Sequence, residues 1–198
     1  MQVHCTKKLM AKLPQNHKLE QGKEGIQNFE TLPSNVVLFP GTELKQVAKK
    51  RQNLGEWHAN LVLIQRRQCI VFVHDITRFS LIIPCLLKDD FADLDNLFVE
   101  VFINTLLKLN YPFAVIDAAT KMLTPMKFDT ACNRSVQGTM RVVTEQVEHL
   151  VWVDNIKISE LSPRSTSAWL NEMPCTVKGQ KEPVWPIQAM QKFIESKM

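Results

Sequence analysis

The sequence predicts an α+β domain, an antiparallel β-meander packed with several α-helices. Two patterns carry that expectation. His58 to Gln65, Gln68 to His74 and Arg78 to Ile83 are short runs rich in Val, Ile, Leu and Phe. Only Arg66-Arg67 and Asp75-Ile76-Thr77 separate them, and connections so short join antiparallel neighbours. Beyond the runs, apolar residues recur at the spacing of a helix face.

Taken in order, Met1 to Thr6 suits a short edge strand. Thr6 is placed to cap a brief helix, Lys7 to Leu13, which Pro14 stops. From Pro14 to Gly41 the chain is polar and holds Gly22, Gly25, Pro33, Pro40 and Gly41. That composition suits a long surface excursion, and the stretch 14–55 is expected to be a mobile insertion in a single domain. Thr42 to Gln52 suits a short helix bearing Lys45, Lys49, Lys50 and Arg51. The three central runs are apolar on both alternations, so their sheet should be covered on both faces at its middle. Pro84 ends the third run.

The strongest helix is Asp89 to Leu109, with Phe91, Leu94, Phe98, Val101, Phe102 and Leu109 on one stripe. Aspartates crowd its N-terminal end, where the helix dipole favours them. Phe113 to Thr124 fits a strand or a helix, and Lys127 to Cys132 a short strand. Ser135 is the expected N-cap of a helix from Val136 to about Trp152, buried through Met140, Val143, Val147 and Leu150. Ser162-Pro163 opens another helix, closed by Met173-Pro174. A last amphipathic helix runs from Pro186 to Lys197. Trp152, Trp169 and Trp185 are expected to pack in the core or between elements.

Bulk composition narrows the function classes. The chain has 198 residues, 45% hydrophobic and 22% charged, which argues against disorder of the whole. No stretch approaches the ~20 apolar residues that span a bilayer, and the first residues lack the apolar core of a signal peptide. A net charge of +4 permits an acidic partner without the strongly basic footprint of a dedicated DNA binder. The five cysteines are scattered, with no metal-site spacing, and suit buried thiols in a reducing cytoplasm. Neither a metal nor a cofactor is expected. Phosphate-loop, dinucleotide, nucleophile-elbow and zinc-protease motifs are all missing.

Two segments offer chemistry. His58 and His74 lie at opposite ends of consecutive runs, so a hairpin through Arg66-Arg67 should bring them together, with Asp75 beside His74 to orient a histidine for acid–base work. Arg66 and Arg67 could grip phosphate or carboxylate, or simply form a solvated tip. The second segment, Asn133-Arg134-Ser135, runs from strand into helix. Free N–H groups at a helix start attract anions and Arg134 adds charge, although Asn133 as a turn former, Ser135 as a cap and Gly138 as a close-packing residue explain the same pattern structurally.

Cys5-Thr6-Lys7-Lys8-Leu9, Trp57-His58-Ala59-Asn60-Leu61, Arg66-Arg67-Gln68-Cys69, Thr77-Arg78-Phe79-Ser80, Asn133 through Met140 and Leu170-Asn171-Glu172-Met173-Pro174 stand in this order along the chain. Together they resemble the landmarks of a small bacterial family known only as a domain of unknown function. The resemblance implies a bacterial cytoplasmic domain, of a kind that often travels on mobile elements. It brings no activity, cofactor or catalytic residue with it.

The leading expectation is therefore a non-enzymatic binding module for an acidic partner or nucleic acid. Arg66, Arg67 and Arg134 would be its anion contacts, and Lys49, Lys50 and Arg51 would steer a phosphate backbone. The alternative is a hydrolase or transferase acting on a phosphorylated or nucleotide-like substrate. There His58, Asn60, His74 and Asp75 would do acid–base work, with the anion held at Asn133, Arg134 and Ser135. A third expectation is a protein–protein module presenting Trp169 and Trp185.

Overall fold

A computed structural model describes residues 1–14, 53–177 and 179–198. The excursion beyond Pro14 and the helix over 42–52, with Lys49, Lys50 and Arg51, lie outside the described residues.

The described residues build one five-stranded sheet with helices on both faces. β1 (Gln2–Cys5) leads into α1 (Lys7–Met10), and the meander is β2 (Glu56–Ile64), β3 (Arg67–His74) and β4 (Ser80–Ile83). Then come α2 (Leu94–Lys108), α3 (Phe113–Met122), β5 (Lys127–Asp129), α4 (Arg134–Val153), α5 (Pro163–Asn171) and α6 (Pro186–Glu195). The strand order is β4-β3-β2-β1-β5.

The meander is antiparallel as expected, yet the sheet is mixed, because β1 runs parallel to both β2 and β5. The first residues are accordingly an interior strand, not an edge. Val3 and Cys5 are buried on one face while Gln2 and His4 sit half-buried on the other. Four residues with that alternation fit an edge or an interior slot equally well, and partners far along the chain decide between them.

The β2–β3 turn consists of Gln65 and Arg66, both at positive φ (47° and 64°), the pattern of a type I′ hairpin. Arg67 already belongs to β3, opposite Ile64. The period of two then sends Trp57, Ala59, Leu61, Ile70, Phe72 and Leu81 to one face, against Phe98 and Phe102 of α2 and Met190 and Ile194 of α6. Ile64, Cys69, Val71, Val73 and Ile82 go to the other face, under Val136, Met140, Val143, Val147 and Val151 of α4. The middle of the sheet is covered on both sides, as the double apolar alternation predicts.

Other elements differ in detail. Asp89–Phe91 is a separate 3₁₀ turn, and α2 begins only at Leu94. Asp90 accepts the Leu87 backbone N–H through its carboxylate, a local bond that competes with helix continuation. The ambiguous segment after Pro112 is helix α3. Trp152 is 77% exposed and Trp185 48% exposed, so neither is core, while Trp169 packs beside the cluster under α4. No helix among the described residues is long and apolar enough to cross a membrane.

β4 is an outer strand, and α5 closes its free side with side chains. Asn171 Oδ1 accepts the Ser80 N–H at 2.8 Å, and its Nδ2 donates to Ser80 O and Ser167 O, each at 2.7 Å. Ser167 Oγ accepts the Ile82 N–H at 3.0 Å.

Candidate acid–base cleft

The face of the sheet beneath α4 changes character from β3 toward β5. Over β3 and β4 it is apolar. Over β1, β5 and the start of β2 the same parity presents His4, His58, Asn60 and Asp129. Parallel register sets His4 directly across from His58 on one side and Asp129 on the other. A cleft of about 250 Å³ opens there, bordered by Thr6 and Lys7 after β1, Cys132 after β5, and Gln137 on the first turn of α4. His4 and His58 also line it.

Each histidine is held by its own carboxylate. His4 Nδ1–H donates to Asp129 Oδ1 at 2.6 Å, while Asp129 also accepts the Gln2 amide at 2.7 Å and the Ala131 N–H at 2.9 Å. His4 Nε2 faces Glu56 Oε2 at 3.4 Å, and that glutamate side chain is 61% exposed. His58 Nε2–H donates to Asp75 Oδ1 at 3.2 Å. Because a carboxylate only accepts, this bond fixes the tautomer and leaves His58 Nδ1 as a lone-pair acceptor with no partner among the described residues. The two rings lie 4.9 Å apart, centroid to centroid.

Their surroundings push the two proton affinities apart. Burial disfavours charge on His4, but hydrogen bonds and charge from Asp129 and Glu56 outweigh it and raise its pKa. Burial lowers the pKa of His58, and the charge of His4 pushes the same way against the pull of Asp75. Asp129 is held below the ordinary carboxylate range: burial would raise it, and the hydrogen bond from His4 prevails.

Asp75 also links this pair to α4, since Asn133 Nδ2 donates to Asp75 Oδ1 at 2.9 Å. Asn133, not Ser135, is the N-cap, accepting the Ser135 N–H at 3.0 Å. Both are good capping types, and only Asn133 can cap while also reaching Asp75. Ser135 Oγ instead accepts from Arg78 Nη2 at 3.2 Å. Gly138 has open space where a Cβ would stand, so it permits no close packing.

Three expected associations change. His58 and His74 lie on opposite faces of the hairpin, since His58 pairs with Val73 and His74 with Trp57. His74 is fully buried beside Trp57 and Phe193. Its Nδ1 accepts from Thr77 N–H at 3.2 Å and Thr77 Oγ–H at 2.8 Å, and its Nε2–H donates to Leu54 O at 3.0 Å. Every ring position is thus taken by structure. Asn60 accepts from Thr6 Oγ at 3.0 Å and lines a neighbouring groove instead of touching His58's carboxylate. Arg66 and Arg67 are exposed at the hairpin tip, where Gln65 bonds Ile156 beyond the end of α4. Arg134 is exposed at the other end of that helix, roughly 30 Å away by the rise of an α-helix.

Burial pushes the pKa of His74 down to about 4. The neutral ring is thus favoured in the folded chain, and the unfolded chain takes up the proton first as pH falls. We expect stability to drop between about pH 6.5 and pH 4, by roughly 3 kcal/mol from this group, and to level off for it below that. Chemical denaturation of the protein and of a His74→Gln variant across that window checks it; parallel pH curves would remove His74 as the cause.

The sequence reading missed His4, Asp129 and Arg78. The alternation Val3-His4-Cys5 did carry a signal, a polar residue flanked by two buried ones on the opposite face. Among the described residues no group of three or more His, Cys, Asp or Glu is placed to hold a metal ion. No curated protein and no solved structure matches the chain. A family model described as a domain of unknown function (DUF6933) matches residues 2–189, nearly the whole length, and the chain belongs to that family.

Proposed function

We propose that the cleft is an acid–base site of a hydrolase or transferase acting on a phosphorylated or nucleotide-like substrate. The observation that carries the reading is the His4–His58 pair, two imidazoles 4.9 Å apart in one cleft, each oriented by a separate carboxylate. Environments that push two titratable groups apart divide the work of acid and base between them. His58 Nδ1 is the base: it takes a proton from a water or hydroxyl nucleophile. His4, kept protonated by Asp129 and Glu56, is the acid: its Nε2–H passes to the leaving oxygen once the exposed Glu56 side chain swings aside. Lys7 at the rim and the N-terminus of α4 favour an anionic substrate. Five free thiols suit a reducing, cytoplasmic setting for it.

The binding-module reading is the weaker one here, because Arg66 and Arg67 stand at the far end of α4 from Arg134 and do not converge on one anion.

Turnover should be sought on a panel of phosphomonoesters, phosphodiesters, cyclic nucleotides and nucleoside triphosphates. For the substrate that reacts, kcat/KM should follow a bell, rising with pH through the lowered pKa of His58 and falling through the raised pKa of His4. His58→Gln should lose about 10²–10⁴-fold. A panel with no turnover, or activity undiminished in His58→Gln, would sink the proposal.

A further inference from the structure

We infer that Arg78 and the first turn of α4 form an anion subsite that takes the phosphate group of a phosphorylated ligand. The inference deepens the acid–base reading of the adjoining cleft, and rests on it for the identity of that ligand.

Arg78 sits in the turn between β3 and β4 and is only 6% exposed. Its backbone is left-handed, at φ 60°, a conformation uncommon for a side-chain-bearing residue and often found where function requires it. One nitrogen, Nη2, donates to Ser135 Oγ on the first turn of α4. The other two, Nε and Nη1, are shielded from solvent and have no hydrogen-bond partner. Among the described residues no carboxylate forms an ion pair with the guanidinium either. Asp75 is the acidic group whose charge it feels, and both contacts of that carboxylate's Oδ1 go to His58 and Asn133. A buried guanidinium with two idle donors is costly, and burial outweighs the pull of Asp75 on its charge.

What would offset it is an anion, and the start of α4 beside it offers further donors. The planar guanidinium fork places Nη1 one group width from Nη2, which already touches the helix start. There Asn133 caps only the Ser135 N–H, and the backbone N–H groups of Arg134 and Val136 have no acceptor among the described residues. Arg134 adds a solvent-exposed cation at the rim. A tetrahedral oxyanion satisfies donors from both sides, which a planar carboxylate does less well. Through Asn133 and Asp75 the same helix start is tied to His58.

Isothermal titration with inorganic phosphate, paired with thermal melts in phosphate-free buffer, tests this on the full chain. Wild-type protein should bind phosphate, and Arg78→Met should weaken binding by at least about tenfold, the worth of one charge-assisted contact. Arg78→Met should also melt no lower than wild type without phosphate, because it removes an unpaired buried charge; a purely structural arginine would lower the melt. Ser135→Ala, which keeps the guanidinium, should weaken phosphate less than Arg78→Met does. Phosphate binding that is absent in the wild type, or unchanged in Arg78→Met, overturns the subsite. Phosphate binding by the wild type is read alongside the substrate panel. If the wild type binds phosphate, and Arg78→Met weakens it, while the substrate panel gives no turnover, the acid–base reading fails and the subsite stands.

Discussion

Gly55→Ala is expected to destabilise the protein by about 2–5 kcal/mol, although the change adds a single methyl group. Gly55 has φ +88°, and a Cβ built on it would lie 2.4 Å from His74 Nε2 and 3.1 Å from Phe193 Cζ. The imidazole cannot move out of the way. It is fully buried, bonded to Thr77 and Leu54, and set edge-on to Trp57 and Phe193. The left-handed backbone alone costs an alanine about 1–2 kcal/mol. Displacing the ring then leaves the Leu54 carbonyl or the Thr77 donors unpaired, at about 1–3 kcal/mol each. Gly138→Ala is the internal control: in α4 with open space around it, it should be stabilising by about 0.5–1 kcal/mol. Urea denaturation of both variants decides the matter, and a Gly55→Ala loss no larger than the ordinary surface range of about 0.5 kcal/mol would refute the steric account.

Asn171→Ala is expected to cost about 2–5 kcal/mol and to expose one particular amide. The residue is 1% exposed and spends its whole amide group on Ser80 N–H, Ser80 O and Ser167 O. Truncation leaves both backbone groups of Ser80 without the partner that Asn171 supplies. Native-state hydrogen exchange should report the loss at the Ser80 amide first, with Ile82, held by Ser167 Oγ, affected less. Unchanged protection at Ser80 would mean that another group had taken the place of Asn171.

Much of the fold was legible because local signals agreed. The three apolar runs with short connections fixed the meander, and helical spacing located α2, α4 and α6. The position of β1 was hidden for a physical reason. A four-residue strand carries little pairing information, and its neighbours are chosen by segments more than fifty and a hundred positions away. That one placement creates the site, since it brings His4 between His58 and Asp129. The opposite parity of His58 and His74 is legible in the sequence. A two-residue turn pairs odd positions with even ones, so two even-numbered residues on adjacent strands must face opposite ways. Asp75, an odd position beyond the strand end, is for the same reason the residue that reaches His58. Arg78 looked like the first residue of a strand, and only its burial and its idle nitrogens give it away.

The grip of α5 on β4 also bears on how this molecule can meet others. Many partners attach by laying an extended segment along an open sheet edge and borrowing its row of donors and acceptors. Here that row is already spoken for by Asn171 and Ser167, and the opposite edge, β5, is only three residues long. A guest peptide would have to unseat a helix or settle for a single turn's worth of ladder. Strand exchange, and the runaway stacking that follows from it, is thereby closed off at the longer end.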